Sequence, residues 1–152
     1  MIEDLEDNAR EELKRADHLL YVTLKYTRTA DVIKNTIKRL ISALDFSIQE
    51  ALEIMFSKKK IKEVPKTALL RAELLDEKKK EFRDAMDFYF FLRKIDAAEY
   101  KGKEEFRKGV TLISQASAKE KIIVDMPRLK EYFEKTIKIV QEIEEAIHDK
   151  KK

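Results

Sequence analysis

The chain has no cysteine, and of its 152 residues only two are glycine, two proline and two histidine. The missing cysteine removes disulfides, thiolate zinc sites and cysteine nucleophiles together. With so few glycines, neither a phosphate-cradling loop nor a strand-to-helix glycine turn can be assembled, so nucleotide binding of the P-loop or Rossmann kind is excluded. No run of about 18 apolar residues occurs and the N-terminus carries no apolar segment, so the expectation is a cytoplasmic protein with neither a membrane span nor a signal peptide. Excess charge of one sign is absent as well. Against 33 Lys and Arg stand 30 Asp and Glu, a net +3 in a chain that is 41% charged. That is dense charge of mixed sign, unlike the one-sided surplus of a dedicated nucleic-acid binder. Asn and Gln are scarce while Lys and Glu abound, a balance that points to a thermophilic source.

What is present is helical periodicity. Val32, Ile33, Ile37, Leu40, Ile41, Leu44, Ile48, Ala51, Leu52 and Met55 recur at steps of three and four, the spacing that stacks side chains on one face of an α-helix. Ala43, Phe46, Ile54 and Phe56 widen that face, so the helix over 31–56 is expected to stand among several neighbours as the mast of the fold. Leu5, Ala9, Leu13, Ala16, Leu20 and Leu24 predict an earlier helix over 2–26, with Glu3, Asp4, Glu6 and Asp7 at the positive end of its dipole. The break falls at Thr27–Ala30, with Thr29 as N-cap. Pro65 ends the mast's exit, and a short helix follows through Ala68, Leu69, Ala72 and Leu75. Another helix spans about 79–99, and a last one begins after Asp125 and Pro127 with Leu129, Phe133, Thr136, Val140, Ile143 and Ile147 inward. Between them Gly102 and Gly109 bracket an irregular stretch. It reads as helix to about Ser117, while β-branched Lys121–Asp125 reads as extended, pairing at most with Val110–Ser114 as a small hairpin. The expectation is one all-α domain over 1–149, an up-and-down four-helix bundle with one extra short helix, an irregular crossover and a frayed basic tail at 150–152.

Few groups suggest chemistry. Glu145 and His148 have the Glu-x-x-His spacing of di-iron bundles, but Arg15 rather than a carboxylate stands three residues before His18, so the second pair that such chemistry requires is missing. His148 reads as a cation at a helix C-terminus and His18 as a packing or hydrogen-bonding residue. Asp84 and Asp87, with Arg83 and Arg93 nearby, read as a solvated face. Lys58–Lys60, Lys78–Lys80 and Lys150–Lys152 fall at one end of an up-and-down bundle, together with Glu6, Asp7, Glu63, Asp76 and Glu81, which neutralise them. No cofactor or metal is called for.

The segment Arg93-Lys-Ile-Asp-Ala-Ala-Glu-Tyr100 resembles the signature of HEPN domains, helical bundles often encoded with nucleotidyltransferases or in toxin–antitoxin pairs. Their active members carry Arg, four to six residues, then His, commonly with Tyr two positions on. The resemblance implies a bundle, frequent dimerisation with the motif near the dimer cleft, and RNA cleavage in active relatives. Here the candidate histidine positions hold Ala98, Glu99 and Tyr100. Loss of the proton-transfer group costs on the order of 10²–10⁴-fold, so ribonuclease activity is not expected. An inactive copy retains Arg93, Tyr89 and Tyr100 as ligand or nucleic-acid contacts. The four aromatics Phe88–Phe91 cannot all face one core, so Phe88, Phe90 and Phe91 are the candidate interface. The function expected is a non-catalytic interaction module that dimerises or takes a protein partner. The alternative is a HEPN-like protein that binds RNA weakly.

Overall fold

The computed structural model describes residues 2–149. The side chains of Glu3 and Asp149 and the Lys150–Lys152 tail lie outside the described residues, and with them the readings placed on Glu3 and the tail. Helix α1 (Ile2–His18) passes into a π-helical turn (Leu19–Thr23) and a final turn, α2 (Leu24–Tyr26). The first helix is therefore continuous to Tyr26, as its periodicity predicts. Its seam of Ala9, Ala16, Leu20 and Leu24 is buried.

The chain then turns through Thr27–Thr29. Thr29 is extended, and its Oγ1 accepts the Val32 N–H at 3.3 Å, which caps α3 (Ala30–Ser57). This helix is the centre of the molecule. It packs against α1, the short helix α4 (Ala68–Lys78), α5 (Arg83–Ala97) and α6 (Met126–Asp149), and it also touches the sheet. The breadth of its apolar face accounts for this, since residues on every side of it are buried, from Ile33 and Ile37 to Ile54 and Met55. Each such aliphatic side chain contributes roughly 1.5–3 kcal/mol of transfer free energy.

The exit from α3 is closed by backbone bonds. Lys59 takes the left-handed conformation at φ 59°, its N–H reaches the Phe56 carbonyl at 2.9 Å, and the Lys60 N–H reaches Met55 at 2.9 Å. This is the paired closure that usually employs glycine. Thr67 caps α4 by accepting the Leu70 N–H at 3.3 Å, and Asp125 caps α6 by accepting the Arg128 N–H at 3.0 Å.

The crossover departs from the helical expectation. Helix α5 ends at Ala97, and the chain forms an antiparallel sheet of β1 (Glu99–Lys103), β2 (Thr111–Gln115) and β3 (Ile122–Val124), in that order. The pairing of Leu112 with Val124 is the predicted hairpin. Helix through Ser117 is overturned, because Val110, Leu112 and Ser114 alternate inward at a period of two. Strand β1 went unforeseen, since all five of its residues are exposed and show no alternation in hydrophobicity. The molecule is thus mostly helical with a small three-stranded sheet, broadly consistent with the expected all-α class. None of the described helices is long and apolar enough to cross a membrane.

Candidate functional site

Tyr89 lies fully buried on α5, and its hydroxyl donates a hydrogen bond to Asp45 on α3. One turn further along α5, Arg93 donates to the same hydroxyl at 3.1 Å and stacks its guanidinium over the ring, 5.7 Å from the centroid. Arg71 on α4 adds its charge to Asp45 and fixes itself by donating to the Pro65 carbonyl at 3.1 Å. Burial pushes the Asp45 carboxyl above its usual range, opposed by the Tyr89 bond and the two arginines. Burial, then the bond to Asp45, likewise raises the Tyr89 phenol. The arrangement clamps three helices together. It leaves Tyr89 no open ring face, so the expectation of Tyr89 as a base-stacking contact is corrected: its ring belongs to the core.

Tyr100 belongs to a different cluster. Its hydroxyl donates to Asp31 in the first turn of α3, which raises the phenol's pKa, and Lys34 lies 4.6 Å above its ring. Lys34 also faces Asp96 at 3.6 Å, with Lys38 at 3.7 Å. Asp31 and Asp45 are fourteen residues apart, roughly 21 Å along a helix that rises 1.5 Å per residue. Arg93 and Tyr100 are therefore anchored at separate places.

Phe88 is buried, stacked on Phe91 at 6.5 Å and set edge-on to Tyr132 of α6 at 5.9 Å. Phe91 meets Tyr132 at 5.6 Å and Phe90 meets Tyr89 at 5.7 Å. Of the three interface candidates, Phe88 is used within the chain, and Phe90 and Phe91 are half-buried. Phe88, Phe91 and Tyr132 line an open groove of about 510 Å³ between α5 and α6, rimmed by Asp84, Asp87, Glu131 and Lys135. The other two residues of the predicted polar face turn away. Arg83 pairs with Asp76 at 2.7 Å, and Arg93 joins Tyr89.

Two of the three basic runs converge. Lys58, Lys60 and Lys79 surround an apolar cavity closed by Ala146 and Ile147 near the end of α6. Its roughly 30 Å³ is room for a single water. Acids share this end, as predicted: His148 faces Glu6 at 3.7 Å, and Arg10 reaches Glu144 at 3.4 Å. His18 is exposed beside Lys14, Arg15 and Arg39 rather than packed.

Among the carboxylates that escaped the sequence reading, Glu12 and Asp45 each gather two arginines. Glu12 is buried between Arg15 at 2.6 Å and Arg39 at 3.1 Å, and Asp45 is the key to the α3–α4–α5 clamp. A signal existed for both, since Glu12 falls on the apolar seam of α1 and Asp45 is flanked by Ala43, Leu44 and Phe46 on a helix with neighbours all round. Among the described residues, no three His, Asp or Glu side chains converge as metal ligands. No family model, curated protein or solved structure matches this chain.

Proposed function

We propose that this chain is an up-and-down helical bundle serving as a non-catalytic interaction module, and that it pairs with a second copy of itself through α4. The supporting observation is the outward face of that helix. Leu69 and Leu70 are 41% and 51% exposed, while Ala72 and Leu75 on the opposite face are buried. At 100° per residue, Leu70, Glu73 and Glu77 of α4 fall in one line, with Leu69 and Leu74 on either side, and the exposed Lys66 stands just before the helix begins.

A two-fold axis beside the middle of α4 sets two such faces antiparallel. Leu70 then packs on Leu70 of the second copy beside the axis, and Lys66 comes to the end of the second copy's α4 that carries Glu77, with the reciprocal contacts following by symmetry. Opposite charges thus close both ends of an aliphatic centre. A face built on an 11-residue helix belongs to the small, weak class of interfaces.

Sedimentation over a concentration series up to hundreds of micromolar tests this. The mass should approach twice that of the chain, and a Leu69→Glu/Leu70→Glu variant with unchanged helical circular dichroism should stay monomeric. A single-chain mass at every concentration overturns the proposal.

A further inference from the structure

Where α2 gives way to α3, the molecule displays rings with little packed on them. Tyr26 is 83% exposed and Phe106 73%, the highest values for any large apolar side chain among the described residues. They belong to one surface. The Phe106 N–H donates to the Arg28 carbonyl at 2.6 Å, which lays the loop after β1 across the Thr27–Thr29 turn, two residues from Tyr26.

Phe106 holds its ring outward from a left-handed backbone, φ 66°, and Glu104 in the same loop is left-handed at φ 56°. A bulky residue seldom adopts that conformation, and strain of this kind concentrates in binding segments. Glycine would relieve it, yet the two glycines of the loop region stand elsewhere, at 102 and 109.

The charge of this surface is one-sided. Residues 24–28 and 99–108 contain six basic side chains against Glu99, Glu104 and Glu105, a surplus equal to the +3 of the whole chain. Adding Asp31 and Lys34 from the adjoining turn of α3 leaves that surplus unchanged. Lys101 and Lys103 point to the open face of the sheet, because Tyr100 and Gly102 pair with the buried Ser114 and Leu112 on the other. Arg107 and Lys108 are exposed in the loop beside them, Arg107 loosely paired with Glu104 at 3.8 Å.

We infer that this end binds single-stranded nucleic acid, with Lys101, Lys103, Arg107 and Lys108 meeting phosphates and the rings of Tyr26 and Phe106 stacking on bases. Cations draw in the backbone, and exposed rings need bases that are not already stacked in a duplex. The surface lies at the opposite end of α3 from the mixed-charge lysine cluster. It does not involve α4, so it stands or falls independently of self-association.

Anisotropy titration of labelled oligo(U) and oligo(dT), about a dozen nucleotides long, tests the inference. A duplex of the same length and polyglutamate serve as competitors. One or both single strands should bind at low salt and weaken as salt rises, and their ratio tells RNA from DNA. Tyr26→Ala and Phe106→Gly should each weaken binding roughly five- to a hundredfold, and Lys101→Glu/Arg107→Glu should remove most of it. Phe106→Gly relieves the left-handed backbone, so it should melt no lower than the parent, and its loss of affinity is then not a loss of fold. The inference is overturned by no binding of either strand at low salt, by equal displacement with duplex or polyglutamate, or by affinity unchanged in both ring variants.

Discussion

Tyr89 and Asp45 join α5 to α3 by a hydrogen bond in which a fully buried phenol donates to a half-buried carboxylate. Two arginines, from α4 and α5, bring positive charge to the same oxygen cluster. A polar group in this setting stabilises only while its partners are in place.

Tyr89→Phe keeps the ring and removes the donor, leaving Asp45 with the arginines alone. The expected cost is about 1–3 kcal/mol, measured by chemical denaturation. Part of it should return in Tyr89→Phe/Asp45→Asn, because the two side chains are coupled. Strict additivity would show that they do not act as a pair.

The pH dependence has a definite sign. Burial raises the Asp45 carboxyl, so the native chain holds that proton more tightly than the unfolded chain does. The contribution to stability is fully present below the unfolded value of about 4 and is lost as pH rises through the native one. Asp45→Asn lacks this titration. In thermal melts from about pH 4 upward, the parent should lose ground steadily relative to Asp45→Asn. A gap in melting temperature independent of pH would contradict the assignment.

Charge exchange probes the α4 contact. Lys66→Glu should weaken self-association by setting like charges together at both ends, and Lys66→Glu/Glu77→Lys should restore it. Failure of the double variant to recover would place the contact elsewhere.

The left-handed Lys59 after α3 marks a position that glycine occupies more easily. Lys59→Gly should raise stability by up to about 1 kcal/mol, read as a higher melting temperature at unchanged helical content.

Much of this fold could be read from periodicity. The seam of the first helix, the Thr29 cap and the wide apolar face of α3 are local patterns, and the structure uses each as its spacing suggests. Strand β1 was illegible because Glu99-Tyr-Lys-Gly-Lys103 buries nothing. It is held by backbone bonds to β2 and by the tie from Tyr100 to Asp31. The polar sites were harder still. Tyr89 and Tyr100 are visible in the sequence, but their partners, Asp45 and Asp31, sit 44 and 69 residues away from them, and nothing local announces such pairings.

The widened turn at Leu19–Thr23 holds one residue more than an ordinary helix would need. Ala16, Leu20 and Leu24 therefore follow one another at steps of four without drifting off the seam. Excising Tyr21 would leave steps of four and then three, the natural rhythm of a regular helix, with all three side chains still facing α3. Excising Glu11 instead would swing everything after it by about 100° relative to Leu5 and Ala9. A shortened protein that folds after the first deletion and collapses after the second would identify this turn as the place where the helix can gain or lose length.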